Sequence, residues 1–557
     1  MNYQIFNLYT CQTRALLSIA LIAFFISYTN GQEASPAEVD TSKKITINDV
    51  NVIKDFEAKL IDAQPISINP FLPRSVERPL YYPYELTIIP LDLDYPDPVI
   101  KPFAMEVDDE KEQYEFYLEG GYGTINNPNA KLSYALVKED KFTFNSFIQY
   151  DALDNSENVR LQKNKHVDII LGGSYRIGEN HEISAQIDSD IAQRNLYSTE
   201  VRTAQIDEAV FNRDYSKNNL SASIKNIEQE NGLKYYLTPQ LDISYINQRE
   251  IRNTSLGLEG EISKTTGLHH QFSFNFFANY SSVNSDLDPN QFLVHLSPSY
   301  HFDGDGWWIM LGGQGSFTNE ERFFWPNTEL GINIAEQKVQ AFVGSRQDAQ
   351  INDVNSIINE VPFMFADLDS IETTVQQSIY GGARGNLGRL QYEGKAAYNN
   401  VTNYQFFNPE FVRFFEMAQV FDDNKIIEIQ GSISLDLRSW LKLGGSVTQR
   451  FFDLNTFSEA WGIPEFELAT FGQARLLSDR LRLRAEFLFA NRVNYQFREE
   501  TGTLNELFDL NLEARFTLTD HFGVYLNGFN LLDNEYRRFF GYPTVGIHGR
   551  AGAWLKF

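Results

Sequence analysis

The chain has almost no cysteine, too few basic residues to offset its acids, and no long apolar run after its first 30 residues. Each shortage excludes something. The single cysteine among 557 residues is Cys11, inside the leader described below. A mature chain without cysteine has no disulfide framework, no thiolate metal site and no cysteine nucleophile. Lys and Arg total 47 against 74 Asp and Glu, a formal net charge of −27. Nucleic-acid binding needs a basic face to displace phosphate counterions, so nucleic acid is excluded as a partner. Beyond residue 30 no segment is long and apolar enough for a membrane helix. Phosphate-cradling glycine loops, dinucleotide fingerprints and Gly-x-Ser-x-Gly nucleophile elbows are missing too. These absences predict no enzyme and no cofactor.

Aromatics, by contrast, are abundant. The chain holds 44 Phe and 28 Tyr, yet its mean hydropathy is negative. Many rings without a hydrophobic helix suit a protein whose membrane surface is made by alternating residues.

A polar start ending at Arg14 precedes an apolar core, Ala15 to Ile26, and Thr29-Asn30-Gly31 places small residues before Gln32. Residues 1–31 are therefore expected to be a secretory signal peptide. Residues 32–112 form a proline-rich segment, with nine prolines from Pro65 to Pro102. Proline at this density excludes helix interiors and central strands. An irregular periplasmic or lumenal segment is expected, with one strand-prone run carrying Ile45, Ile47, Val50, Val52 and Ile53.

From residue 113 to 557 the texture is uniform and reads as all-β. Ile427, Ile429, Ile433, Leu435 and Leu437 alternate with polar positions that include Glu428 and Asp436. Leu481, Leu483, Ala485, Phe487 and Phe489 alternate with Arg482, Arg484 and Glu486, and Leu510 to Leu518 with Glu513 and Arg515. Successive strand residues face opposite sides of a sheet, so one side is oily and the other wet. Aromatics gather near strand ends, as in Trp307-Trp308 and Phe323-Phe324-Trp325, as expected of rings at two water interfaces. In lipid such a sheet must close to pair its edges. Short polar turns are expected near Asp140, Gly178, Lys217, Gly267, Asp305, Gln337, Gly388, Ser439, Asp479 and Asp520. Their number predicts a transmembrane antiparallel β-barrel of about 22 strands in the outer membrane of a Gram-negative bacterium. Outer-membrane lipid is then one partner. The barrel-assembly machinery is another, engaging a C-terminal strand that ends in Phe557.

The closing stretch is more specific. Leu526-Asn527-Gly528-Phe529-Asn530-Leu531-Leu532-Asp533-Asn534-Glu535-Tyr536, then Gly541-Tyr542-Pro543 and Gly549-Arg550, lead to Phe557. This resembles the penultimate-strand region of TonB-dependent receptors, although His548 stands where the family has proline before Gly-Arg. The resemblance implies a receptor or transport barrel taking up a solute, with TonB as a partner. The run from Ile45 to Ile53 has the texture of a TonB box, which pairs by strand addition. The segment of about 80 residues before the barrel is too short and too rich in proline for a standard plug, so a receptor-like barrel lacking that domain is expected.

A barrel so wide is not filled by its own wall. Glu428, Asp436, Arg482, Arg484, Glu486, Glu513 and Arg515 are the expected lumen-facing residues. The alternative is a scaffold barrel that anchors a surface lipoprotein or an envelope complex through the proline-rich arm. No metal site is expected. His269-His270 should point to opposite faces, and Asp303-Gly304-Asp305-Gly306 has turn residues but not the later ligands of a calcium loop. Gly120-Gly121-Tyr122-Gly123 is expected to permit a bend or a close backbone approach.

Overall fold

Strands that alternate oily and polar residues over ten or more positions give a sheet one oily and one wet face, and a closed sheet can turn the oily one outward where it meets lipid. The computed structural model shows this arrangement. It describes residues 115–557 except 139–140, 198–210, 228–231, 248–249, 285–288, 336–337, 362, 364–370, 410–416 and 498–499. The strand-prone run of Ile45, Ile47, Val50, Val52 and Ile53 lies outside the described residues.

Twenty-two strands form one antiparallel sheet. The first, Phe116–Gly123, pairs with the second, Asn129–Lys138, and also with the last, His548–Lys556, so the sheet closes. Phe557 completes the closure: its N–H donates to Phe116 O at 2.9 Å, and its carbonyl accepts from Phe116 N at 3.1 Å. No backbone edge is left to lipid.

One end of the barrel carries only short connections, at 139–141, 178–180, 227–232, 267–269, 305–306, 335–338, 387–389, 439–440, 477–480 and 520–521. The other carries the long ones, among them 196–211, 352–372 and 530–547. Short turns belong to the periplasmic side of such barrels and long loops to the outside. Of the ten sequence-predicted turns, Asp140 and Gln337 lie outside the described residues, seven fall at these short connections, and Lys217 does not. It lies mid-strand in Asn212–Asn226, whose turn follows at 227–232. The polar outer half of this strand, with Asp214, Ser216 and Asn218, precedes Leu220 and Ile224, which are 48% and 38% exposed. Its turn-like composition belongs to a strand end standing above the lipid.

The convex face is a belt of exposed aliphatics such as Ile187, Leu256, Ile429 and Leu512. Exposed rings edge the belt near the short turns, at Phe142, Tyr175, Trp307 and Trp440, and near the loops, at Tyr122, Tyr280, Phe324 and Phe451. An apolar band between two aromatic girdles places the chain in the outer membrane.

One short helix, Val354–Glu360, was not expected from the sequence. Asp353 caps it, accepting from Ser356 N at 3.1 Å. Its apolar side, Val354, Ile357 and Val361, is buried. At the other end, His269 stands in a turn, where alternation does not apply. Both His269 and His270 therefore pack against Phe302 instead of facing apart.

Candidate functional site

Side chains on the convex side of a closed barrel diverge, while those on the concave side converge. Bonds that skip strands therefore mark the lumen. Arg515, on Leu507–Thr519, donates to Tyr117 Oη at 2.5 Å and to Glu119 on Phe116–Gly123. Two strands, Phe522–Phe529 and His548–Lys556, stand between them. Three strand spacings are about 14 Å along the wall, a gap that Arg515 and Tyr117 can span only by leaning inward. Tyr117 also donates to Glu119 at 2.5 Å, and Glu119 is 1% exposed.

Arg550 makes the same kind of reach, donating to Asp151 at 3.1 Å and to Asn127. Tyr525 lies across two glycines of the closing strands and donates to Asn129 Oδ1 at 2.8 Å. A Cβ at Gly121 would stand 2.2 Å from Tyr525 Oη, and one at Gly552 would stand 2.5 Å from its ring. Close approach, not a bend, is thus what Gly121 provides. The last three strands and the first three are pinned together from inside.

The sequence-predicted wall residues fall into pairs and small networks. Glu428 accepts from Arg450 Nε at 3.0 Å, and Arg450 also reaches Glu467 at 3.2 Å. Arg484 Nε donates to Glu486 at 2.6 Å. Glu513 accepts from Arg515 at 3.4 Å. Register places Arg484 opposite Glu513 and Arg482 opposite Arg515. Asp436 lies opposite Lys442 beside a short turn. The intervening Leu483 and Leu512 are on the exposed apolar face. Sequence reading missed Tyr117, Glu119, Asn129, Asp151 and Tyr525, and named Arg550 only as part of the closing motif. Only ring closure brings these residues together, and no local pattern announces them.

The outer mouth is bridged by loops. Phe363, from the 352–372 loop, stacks on Tyr542 with centroids 3.7 Å apart, and Tyr197 meets both edge-on at 5.5 and 5.1 Å. The strands flanking Phe363 lie more than a third of the way round the ring from those flanking Tyr197 and Tyr542, so this contact crosses the lumen. Gln162 Nε2 and Tyr197 Oη both donate to Pro543 O, at 2.9 and 3.3 Å. The buried cluster continues through Leu161, Ile246, Leu293, Ile357, Phe407 and Phe539.

The helix ties this cap to the wall. Asp353 accepts from Asn253 Nδ2 at 3.1 Å and Ser281 Oγ at 2.9 Å, and Asn355 accepts from Ser244. Burial pushes the Asp353 carboxyl above its ordinary range, against the opposing pull of its hydrogen bonds and of Lys217.

The Asn-Leu-x-Asp-x-x-Tyr stretch forms a knot in the last outer loop. Asn530, at φ 45°, donates to Asn534 O at 3.1 Å and Val545 O at 3.0 Å, and accepts from Asn534 N at 3.2 Å. Asp533 accepts from Ile547 N at 3.0 Å, and Tyr536 is buried. These residues shape the loop that carries Tyr542 into the cap.

Among the described residues, His166, Asp168 and Asp190 offer three potential ligand atoms within 4.8 Å of one another.

No family model and no curated protein matches the chain. Solved structures share its fold. The FrpB iron transporter from Neisseria meningitidis (F3-3 variant) aligns over 80% of this chain and 82% of its own, with TM-score 0.65 at 11% identity. The siderophore receptor PirA from Acinetobacter baumannii aligns over 80% and 81%, with TM-score 0.60 at 10% identity. The ferric enterobactin receptor PfeA from Pseudomonas aeruginosa aligns over 79% and 81%, with TM-score 0.60 at 9% identity. The resemblance of the closing stretch to TonB-dependent receptors thus extends to the fold of the whole barrel.

Proposed function

We propose that the chain is an outer-membrane receptor that takes up a solute through its lumen. One observation carries this reading: a charged, internally paired lumen wall lies beneath a cap of loops that meet across the outer mouth. A scaffold would not need a barrel this wide with a separately built closure. In this reading Glu428, Asp436, Arg482, Arg484, Glu486, Glu513 and Arg515 line the route. The run of Ile45, Ile47, Val50, Val52 and Ile53 would offer TonB a strand to pair with. Phe557 would present the closing strand to the assembly machinery. The named neighbours are an iron transporter and siderophore receptors, so iron and its small chelates are the first cargo to try.

Two measurements test the reading. Planar-bilayer recordings would compare a chain lacking residues 32–112 with one that also lacks 354–371. Removing the cap should convert a nearly silent barrel into a conducting one, and equal conductance in both would sink the cap as the barrier. In cells, loss of the gene should reduce uptake of the cargo, and the full chain should restore it.

A further inference from the structure

We propose that the lumen wall just below the cap holds a divalent first-row transition-metal cation between His166, Asp168 and Asp190, with Tyr215 as a fourth donor. The inference deepens the uptake reading and takes the site's purpose from it, but the site's existence does not depend on transport.

His166 and Asp168 share Lys163–Ile177, two residues apart and so on one face. Asp190, on the neighbouring His181–Asn195, pairs directly with Asp168. His166 Nε2 stands 3.2 Å from Asp168 Oδ1 and 2.8 Å from Asp190 Oδ1. An ion bound at about 2.1 Å holds neighbouring ligand atoms about 3 Å apart. The spacing is therefore that of one face of a coordination sphere. The side chains are 17–27% exposed, open enough for entry from the lumen yet sheltered from bulk water.

A second observation points to the same spot. Tyr215 is 5% exposed, and its hydroxyl is buried with no hydrogen-bond partner. Register carries Tyr215 to His166 across a single small residue, Ala192. Arg194 lies over the Tyr215 ring at 4.8 Å, and the charges acting on its phenol are those of Arg194, Asp190 and Asp168. A buried phenol oxygen without a partner is costly, and a cation among the carboxylates would engage it. Ala192 and Tyr215 also belong to the buried cluster of the cap, so the site borders the cap from below.

One imidazole with two carboxylates and a phenol suits Mn²⁺, Fe²⁺ or Zn²⁺ better than the all-oxygen ions Ca²⁺ and Mg²⁺. The test uses the full chain in detergent, with Mn²⁺ followed by electron paramagnetic resonance and Zn²⁺ by calorimetry. One site per chain is expected for each, and a hundredfold excess of Ca²⁺ should not displace them. His166→Ala and Asp190→Asn should each weaken binding about tenfold or more, and Tyr215→Phe by a smaller factor. The heat-dependent gel shift of the folded barrel checks each variant. If His166→Ala fails that check, His166→Gln takes its place. Failure of wild-type chain to bind more Mn²⁺ than a chain carrying both His166→Ala and Asp190→Asn would overturn the proposal, leaving a histidine that merely bridges two carboxylates. Equal displacement by Ca²⁺ would also overturn it, leaving an acidic patch. Binding without any cellular uptake would leave the site standing and remove the transport reading.

Discussion

Asp353→Ala should open the cap while leaving the barrel folded. The Asp353 carboxylate receives three hydrogen bonds, from Ser356 N, Ser281 Oγ and Asn253 Nδ2, at 2.9–3.1 Å. Loss of the helix cap alone costs about 1 kcal/mol. Ser281 can turn to Asn253 Oδ1, already 3.1 Å away, but the Asn253 amide is left buried without its partner, costing about 1–3 kcal/mol. Removing a buried charge returns part of this. The net is about 2 kcal/mol against docking of the 352–372 loop, or roughly a thirtyfold rise in the open population. The wall should be untouched, since its ladders run through other residues. Opening events in bilayer recordings of the chain lacking 32–112 would report the cap, and the heat-dependent gel shift would report the wall. Asp353→Asn keeps the shape and should fall between. If Asp353→Ala raises opening by less than about threefold while the barrel remains folded, the anchor has been misidentified.

The docked Asp353 carboxyl titrates above its ordinary value, so the docked state holds its proton more tightly. Docking should therefore strengthen as pH falls through the raised value towards the ordinary one near 4 and change no further below it; opening recorded against pH should show this in wild type and lose it in Asp353→Asn. Gly121→Ala should destabilise the folded barrel by about 1–3 kcal/mol through overpacking against Tyr525. Combined with Tyr525→Ala it should cost clearly less than the sum in urea unfolding, and strict additivity would remove the pinning role. Cysteines placed at 482 and 483 should label oppositely, 483 with lipid-phase reagents and 482 with water-soluble ones; the reverse would invert the wall assignment. Ile429→Arg should cost about 2–4 kcal/mol if the residue sits near the bilayer midplane, and Asn530→Ala should loosen the last outer loop, read as faster proteolysis between 530 and 547.

What was legible follows from period. Ile427 to Leu437 and Leu481 to Phe489 announce their faces because each residue's neighbour in sequence is its opposite in environment. Seven short turns among the described residues were readable because the periplasmic connections are brief and carry ordinary turn residues such as Gly178, Gly267 and Gly388. Lys217 misled because a strand that leaves the lipid looks like a turn. The helix at Val354–Glu360 was missed because two turns of helix give too short a window, although Asp353 three residues before Ser356 is a recognisable cap. The seam was illegible for a different reason. Arg515 meets Glu119, and Tyr525 meets Asn129, across 396 residues of sequence, and only closure of the whole ring makes them neighbours.

Wall and cap are held by different physics, which lets one move without the other. Each wall strand is paired on both sides by backbone ladders, and in lipid every broken ladder bond would leave groups that nothing else can satisfy, at several kcal/mol each. The wall therefore opens as a whole or not at all. The cap is held by ring contacts such as Phe363 on Tyr542 and by the few polar bonds of Asp353, Asn355 and Gln162. Water can replace those bonds as they break, so its opening costs far less. A solute that engaged the wall beneath, at His166 or elsewhere, could shift the cap only through residues common to both. Ala192 and Tyr215 are such residues, bordering the His166 group in register while packing in the cap's buried cluster. Coupling between cargo and cap, if measured, should therefore be lost in Tyr215→Ala before it is lost in any substitution on the far wall, such as Glu428→Gln.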